Sequence, residues 1–276
     1  MKLIESSVQI IKEKDPYKMI ELAGRTCYKS EDKITENSAK EFVDRMIKLG
    51  HGAMLEHGTI YLACLVFDGD VDNNNNLTPN HSFYKYQSNK YSKVKVAQYA
   101  WSGEDVACVT TNLRVLVENN WLDDLKTYRC EPTRYHERRI TAKFICDRGV
   151  SHEFVRHRVF SFAQESQRYC AYNKDKFNNE ITIVKPHWWD EQDSDAASLY
   201  ISTWKHAEYS YITLLENGVK PQDARSVLPN ATKTELVMTG FESDWEHFLS
   251  LRTSKNAHPD AQQLSLKLRE LLYDEK

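Results

Sequence analysis

Residues 156–168 have the sequence RHRVFSFAQESQR, which places three guanidinium groups, one imidazole, two hydroxyl groups and two amides within thirteen positions. The segment follows an apolar stretch, Ile140 to Cys146, which we interpret as a buried strand. A guanidinium is a planar, forked donor that matches phosphate or the carbonyl edge of a base. Several such forks in one short segment repel one another unless an anionic ligand lies between them. We therefore predict an anion-binding site here.

We predict that a helix packed in the core leads into this segment. Residues 149–157 fit a helix in which Phe154 and Val155 face the core and Arg156 emerges at the end. Polar side chains at the end of a helix that is packed in the core are held in position, whereas polar side chains on a free loop are not. An Arg-His-Arg triplet alone is also common on solvated helix faces, so the interpretation depends on the whole segment.

The composition argues against several classes of protein. A formal net charge of -3 and a pI of about 6.4 do not suit a protein that coats nucleic acid. No apolar run has the length of a membrane span, and residues 1–14 lack the core of a signal peptide. The six cysteines form no CxxC pair, and neither HExxH nor a glycine-rich dinucleotide fingerprint occurs. We expect a cytoplasmic protein with no metal, nucleic-acid or membrane partner.

The order of the predicted elements indicates an α+β fold with a mixed central sheet flanked by helices. The predicted strands cover residues 2–11, 59–67, 91–101, 105–111, 140–146 and 234–241. The predicted helices cover residues 16–27, 38–49, 113–119, 149–157, 190–217, 221–227, 243–251 and 258–273. Because strands and helices do not alternate strictly, the pattern is typical of an α+β domain. Length alone permits one large or two modest domains, and we predict a single domain over residues 1–276.

Local signals define the first two helices. Asp15 before Pro16 is typical of a helix start, with the carboxylate as cap and proline at the first helical position. The sequence SAKE at residues 38–41 fits a capping box. The predicted buried face of the second helix consists of Phe42, Met46 and Leu49.

The composition of residues 59–90 changes from apolar to polar along the chain. Residues 59–67 are almost continuously apolar, which favours a central strand. Residues 68–90 are rich in Asn, Asp, Ser and Tyr, and we predict an exposed, irregular segment there.

Ordered motifs along the chain resemble those of the flavin-dependent thymidylate synthases, the thymidylate synthase complementing protein family. The signature of that family is RHR, seven residues and then Ser, which runs here from Arg156 to Ser166, and Arg168 follows two positions later. Further matches are Gly50-His51 with Glu56-His57, Ala224-Arg225 with Val227-Leu228-Pro229, and His247-Phe248-Leu249 with Leu251-Arg252. The resemblance covers nearly the whole chain except roughly residues 68–135, which we interpret as an insertion.

The resemblance implies an enzyme that makes dTMP from dUMP. It implies that FAD is bound without a Rossmann motif, that NADPH is the reductant, and that methylenetetrahydrofolate donates a one-carbon unit to C5 of dUMP. It also implies a homotetramer in which several subunits build each site.

Site residues follow from the resemblance, position by position. The residues implied to bind FAD are His51, Ala53, Arg156, His157, Arg158, Gln164 and His247. The residues implied to bind dUMP are Glu153, Arg156, Gln164, Glu165, Ser166, Gln167, Arg168, Arg225 and Arg252. Arg252 corresponds to the arginine implied to activate the uracil. A cation beside the ring carbonyl and N3 stabilises the anionic ring, and arginine cannot itself act as a base. No His-Asp relay is evident near Ser166, so we expect a hydrogen bond to phosphate there, not a nucleophile.

Departures from the family pattern keep other functions open. Many members carry Gln at the position of Glu153, Glu at Gln164, Asn at Phe241 and a small residue at Gln167. A different pyrimidine nucleotide, or nucleotide binding without methylation, is the alternative that fits these changes. RNA binding through the arginine cluster is a third hypothesis, against which the acidic pI argues.

Overall fold

The computed structural model describes residues 1–71, 77–79, 81–98, 103–174, 177–189 and 194–273. Its strands are β1 (Lys2–Ile4), β2 (Ser7–Ile11), β3 (Thr59–Leu65), β4 (Phe67–Val71), β5 (Leu77–Pro79), β6 (Lys93–Gln98), β7 (Asp105–Asn112), β8 (Arg139–Asp147), β9 (Ser161–Gln164), β10 (Thr182–Val184) and β11 (Lys233–Phe241). Its helices are α1 (Pro16–Tyr28), α2 (Ser38–Lys48), α3 (Gly52–Leu55), α4 (Tyr84–Gln87), α5 (Leu113–Glu118), α6 (Asp124–Thr127), α7 (Arg148–Phe154), α8 (Ser194–Glu216), α9 (Pro221–Ala224), α10 (Glu242–Arg252) and α11 (Pro259–Tyr273). This mixture of elements confirms the predicted α+β class.

A four-stranded sheet in the order β2-β8-β11-β9 carries the site. Every pair in this sheet is antiparallel, so the prediction of a mixed sheet is wrong for it. Among the described strands, parallel pairing is found between β1 and β10, in a separate two-stranded sheet. Residues 2–11, predicted as one strand, are divided because β1 pairs with β10 whereas β2 pairs with β8.

Strand β11 lies inside this sheet and is covered on both faces. All of its residues after Lys233 are buried. On one face Leu236 and Met238 belong to a core that α7, α10 and α11 complete. On the other face Val237 packs with Ala163 of β9 and Ala23 of α1. The apolar run Leu236-Val237-Met238 suits this burial on both faces.

A three-stranded antiparallel sheet, β3-β7-β6, packs against α1 and α2. The prediction of β3 as a central strand is wrong, because β7 occupies the middle position. Buried Ile60, Leu62 and Cys64 alternate with partly exposed residues along β3. One face of β3 therefore packs on the core, as is usual for antiparallel sheets.

Residues 81–87 are helical and include two buried side chains, which corrects the prediction of an exposed, irregular segment. Phe83 is 2% exposed and Tyr86 is fully buried. The Tyr86 hydroxyl donates a hydrogen bond to the Asp124 carboxylate, and its ring lies 5.0 Å from that of Trp121. Tyrosine can bury its ring when its hydroxyl keeps a partner, which the composition alone does not reveal. Within the same prediction, residues 72–76 and 80 lie outside the described residues.

The start of α1 is as predicted. The Asp15 carboxylate accepts hydrogen bonds from the backbone N–H groups of Tyr17 (2.8 Å) and Lys18 (3.2 Å). Pro16 occupies the first turn, where its missing N–H is not needed.

The start of α2 differs from the prediction. The Ser38 hydroxyl accepts a hydrogen bond from the Thr35 N–H (2.9 Å) and donates one to Glu21 (2.8 Å), so it does not form the predicted capping box. Asn37 precedes the helix without capping it through its side chain. Phe42 and Met46 are buried as predicted, whereas Leu49 is 57% exposed because it lies beyond the last helical turn.

The long helix α8 confirms most of the prediction for residues 190–217. Residues 190–193 of that prediction lie outside the described residues, as do residues 99–101 of the predicted strand 91–101. Trp204 and Tyr211 are buried, whereas Leu199 is 68% exposed. In the part of the chain that the structure describes, no helix has the length and apolar character needed to cross a membrane.

We expect Asp15→Ala to lower the free energy of unfolding by about 1 kcal/mol, because two backbone N–H groups at the start of α1 lose their acceptor. Chemical denaturation measures this change. Asn37→Ala is the matched control at the start of α2, where no side-chain cap exists, and should change stability by less than about 0.5 kcal/mol. Equal losses in the two variants would contradict this description of the helix starts.

Candidate active site

The candidate site is built on the segment that crosses from β8 to β9. Both strands pair antiparallel with β11, so they run parallel to each other and need a crossover connection. Residues 148–160 supply this crossover as α7 and a turn. Asp147 caps α7 by accepting a hydrogen bond from the Val150 N–H (2.8 Å). Buried Phe154 packs against Phe248 of α10, with 5.1 Å between ring centroids, so the turn that carries the Arg-His-Arg triplet is held in place.

Arg252, the last residue of α10, joins two of the motifs that are distant in sequence. Its Nε–H donates a hydrogen bond to His157 Nε2 (2.9 Å), and its Nη1–H donates one to the Glu153 carboxylate (2.9 Å). Its Nη2–H donates to the backbone carbonyl of Glu153. The Glu153 carboxylate also pairs with Arg156 (3.2 Å), whose side chain is 69% exposed. These bonds fix the guanidinium of Arg252 at the end of α7.

His157 is held in its neutral form. Burial lowers its pKa to about 4, and the nearby charges of Arg252 and His247 lower it in the same direction. A neutral imidazole can accept the hydrogen bond from Arg252, and we assign the proton to Nδ1 because Nε2 is the acceptor. The ring packs against Phe248, with 4.8 Å between centroids. His157 therefore orients Arg252 without competing with it as a cation.

Exposed cations and apolar side chains lie side by side around this cluster. Arg156, Arg158 and His247 are exposed. Val159 and Leu251, in the same two segments, are 63% and 49% exposed. FAD has anionic phosphates and a flat ring system with an apolar dimethylbenzene part, so exposed cations beside apolar side chains fit it.

The loop after β9 has one end fixed and one end exposed. The Gln164 amide donates hydrogen bonds to Ser151 Oγ (2.8 Å) and Thr234 Oγ1 (3.3 Å). The Ser166 hydroxyl accepts a hydrogen bond from the Arg168 N–H (3.3 Å). The Arg168 guanidinium is exposed and lies 5.6 Å from the centroid of the Tyr169 ring. This arrangement leaves Arg168 available to a ligand.

Two residues of this loop point inward. Gln167 is 7% exposed. Glu165 is 2% exposed, and its carboxylate accepts a hydrogen bond from the Lys233 ammonium (2.8 Å). Burial raises the pKa of Glu165, and Lys233 opposes that shift. The Glu165 side chain therefore points into the protein and pairs with Lys233.

Arg148 is a candidate that the sequence analysis missed. Burial lowers its pKa, and the charge of Arg225 also lowers it, whereas Tyr172 and Glu165 raise it. Within the described residues, neither guanidinium has a carboxylate at ion-pair distance, and Arg225 is exposed. Guanidiniums without an ion-pair partner suit an anionic group such as a phosphate. The signal in the sequence was a charged pair, Asp147-Arg148, at the junction between a predicted strand and a predicted helix.

His51 and Ala53 lie apart from the Arg252 cluster. Both are exposed at the start of α3. His51 lines an open cavity of about 940 Å³ together with Tyr28, Arg45 and Tyr169. None of the described residues that line this cavity belongs to the Arg252 cluster. The structure therefore brings Glu153, the triplet, His247 and Arg252 together, but leaves His51 and Ala53 in a second location.

Metal ligands are not concentrated anywhere in the described ranges. Among these residues, no group of three His, Cys, Asp or Glu side chains is arranged to hold a metal ion.

We expect NMR titration to give a pKa of about 4 for His157, and Arg252→Gln to raise that value because one neighbouring positive charge is removed. The rise should be partial, since burial is the larger cause. His57 is the internal control: its pKa is lowered to about 3 by burial and then by Arg139, so the substitution should not move it. A His157 pKa near 6.5 in the unaltered chain would contradict this geometry.

Comparison with known proteins gives similar sequences that are described as flavin-dependent thymidylate synthases. A flavin-dependent thymidylate synthase from Corynebacterium diphtheriae is 33% identical over 140 residues, which cover 45% of this chain and 53% of the relative. One from Pyrococcus abyssi is 34% identical over 129 residues, which cover 45% of this chain and 50% of the relative. The chain thus spans about half the length of the curated relatives it matches.

A solved structure of a UMP/dUMP methylase, PolB from Streptomyces cacaoi bound with 5-Br dUMP, aligns over 99% of this chain and 93% of that chain. The TM-score is 0.47 and the sequence identity is 15%.

The family described as thymidylate synthase complementing protein matches residues 9–130 and 136–275. These ranges include the crossover, the loop after β9 and α10. The chain therefore belongs to the thymidylate synthase complementing protein family.

Proposed function

We propose that this chain is a flavin-dependent thymidylate synthase, which converts dUMP to dTMP with methylenetetrahydrofolate as one-carbon donor and NADPH as reductant. Membership of the family supports the proposal. The observation that carries it is the contact of Arg252 with Glu153 and His157, which unites the Arg-His-Arg motif and the motif of α10 at one point.

FAD is the proposed cofactor, and when bound it supplies the reducing equivalents for the reaction. Arg156 and Arg158 offer exposed forked donors for its phosphates, and the charge of the exposed His247 acts on His157 between them. His157 and Gln164 are proposed to contribute from the interior side of the same segment.

The loop after β9 is the proposed dUMP site. Arg168 and Arg225 are exposed cations that suit the phosphate, and the charge of Arg225 acts on Arg148. The Ser166 hydroxyl accepts the hydrogen bond from the Arg168 N–H, so its own O–H can donate to a phosphate oxygen. Gln167 is proposed to contribute from within the loop.

Arg252 is the proposed catalytic residue. Attack by C5 of uracil requires electron density in the ring, and a guanidinium beside the ring carbonyl and N3 stabilises that anionic form. Three of its five N–H groups donate to Glu153 and His157, and within the described residues two remain for a ligand. Fixed donors of this kind need little rearrangement when charge develops on the ring.

A homotetramer with shared sites is part of the proposal. It is supported by the separation of His51 and Ala53 from the Arg252 cluster within one chain. The exposed apolar side chains of Val159 and Leu251 are also consistent with cover by a ligand or a second copy. Residues 1–276 are proposed to act as one domain, since α1 contributes to the cores of both larger sheets.

Purified protein should be yellow, should release FAD on denaturation, and should oxidise NADPH faster when dUMP and methylenetetrahydrofolate are added. Tritium placed at C5 of dUMP should be released into water. A colourless protein that takes up no FAD would contradict the proposal. Calorimetric binding of dUMP without tritium release would instead support a nucleotide-binding relative that lacks methylation.

Arg252→Ala is the variant that discriminates within this assay. It should abolish tritium release while the flavin absorbance remains, because the proposed role concerns the uracil and not retention of FAD. Arg269→Ala, exposed on α11, is the matched control and should behave as the unaltered protein. Undiminished turnover in Arg252→Ala would refute this role.

Arg168→Ala should weaken dUMP binding by about 1.5 to 3 kcal/mol, since one charge-assisted hydrogen bond is lost. Isothermal calorimetry with dUMP measures the change, and the same Arg269→Ala variant serves as control. An affinity equal to that of the unaltered protein would remove Arg168 from the phosphate site.

A further inference from the structure

A network of alternating charges lies beneath the loop after β9. Its members are Lys29, Glu31, Lys143, Glu165, Lys233 and Glu235. Three lysines face three glutamates, so the formal charges of the network balance. We call this set the lysine–glutamate network.

Glu235 of β11 is the centre of the network. Its carboxylate pairs with Lys29 at 2.8 Å, with Lys143 at 2.6 Å, and with Lys233. Burial opposes ionisation of this carboxyl, but the three lysines lower its pKa to about 2. Glu235 is therefore an anion at neutral pH although its side chain is 7% exposed.

Lys233 connects this centre to the loop. Its ammonium bridges Glu235 and the Glu165 carboxylate, which lies 2.8 Å away and is 1% exposed. The second carboxylate oxygen of Glu165 is buried and has no hydrogen-bond partner among the described residues. Lys233 is thus the direct hydrogen-bond partner that neutralises Glu165.

The backbone of the loop is fixed at the same place. The Glu165 N–H donates to the carbonyl of Glu235 (2.8 Å), and the Ser166 N–H donates to the carbonyl of Cys27 in α1 (2.9 Å). The Cys170 N–H in turn donates to the carbonyl of Ser166 (2.9 Å). Side chain and main chain together set where the loop leaves β9.

Stability alone does not explain a buried network of this kind. Removing charged groups from water costs free energy, and apolar side chains of similar volume are often at least as stable. A network that holds one loop in one geometry, however, gives orientation that apolar contacts specify less strictly.

We propose that Lys233 is a positioning residue for the nucleotide loop, acting through Glu165 to orient Ser166 and Arg168 without touching the ligand. This inference rests on the proposed function in that the ligand is taken to be dUMP. It assigns to Glu165, for which the family resemblance implied dUMP contact, a role through its buried carboxylate instead.

Lys233→Met tests the proposal, because it removes the cation and keeps the length of the side chain. Hydrogen exchange at the Ser166 and Cys170 amides should become at least about tenfold faster, since the loop opens more often. KM for dUMP should rise about tenfold, whereas kcat should change by less than about threefold.

Three further variants make the test decisive. Lys40→Met removes a lysine from the exposed pair with Asp44 and should alter none of these quantities. Lys233→Arg keeps the charge and should restore slow exchange and the original KM. Glu165→Gln removes the loop's carboxylate with Lys233 intact, and should move exchange and KM in the direction of Lys233→Met; it provides the test if Lys233→Met does not fold.

The exchange measurement needs no nucleotide, so it separates this inference from the proposed function. If the unaltered protein does not act on dUMP, the proposed function fails, and the exchange rates alone decide the positioning role. Unchanged exchange and unchanged KM in a folded Lys233→Met or Glu165→Gln protein would overturn the inference. A lower melting temperature with neither change would also overturn it, because it would indicate a purely structural pair.

Discussion

Pairing of β11 with β8 on one side and β9 on the other is the constraint on which the candidate site depends. It makes β8 and β9 parallel, so residues 148–160 must cross the sheet between them. The same strand leads directly into α10, whose last residue, Arg252, meets the crossover at His157 and Glu153. One strand thus determines where both motif segments lie, and its two-sided burial makes that placement rigid.

The charged side chains around these three strands lie in three different environments. Arg252 is fixed by an acidic partner and a neutral imidazole, which orients a cation that remains able to bind a ligand. Within the described residues, neither Arg148 nor Arg225 has a carboxylate at ion-pair distance, and the charge of Arg225 acts on Arg148, which suits an incoming anion. The lysine–glutamate network is internally neutral and lies below the loop, which suits a supporting role. These differences in role follow from how deeply each charged side chain is buried and which groups it contacts, not from its residue type.

Much of this arrangement could be predicted from local sequence. The buried strand before the triplet, the exposed side chain of Arg156 and the Asp15 cap depend on neighbours within a few positions, and all three are confirmed. The helix predicted over residues 149–157 ends earlier, at Phe154 of α7. Side-chain contacts between residues that are distant in sequence could not be predicted. Ser38 bonds to Glu21 and not to its own helix, Tyr86 is buried against Asp124, and Glu165 turns inward to Lys233. Each of these depends on strand order and packing between distant segments, which periodicity does not encode.

A crystal structure of the assembled protein with FAD and dUMP tests the central claim most directly. We expect the dUMP phosphate at Arg168 and Arg225, the uracil beside the guanidinium of Arg252, and the flavin against Arg156 and Arg158 in the same cleft. A nucleotide bound elsewhere, with these guanidiniums directed into solvent, would contradict the claim that the crossover and α10 form one active site.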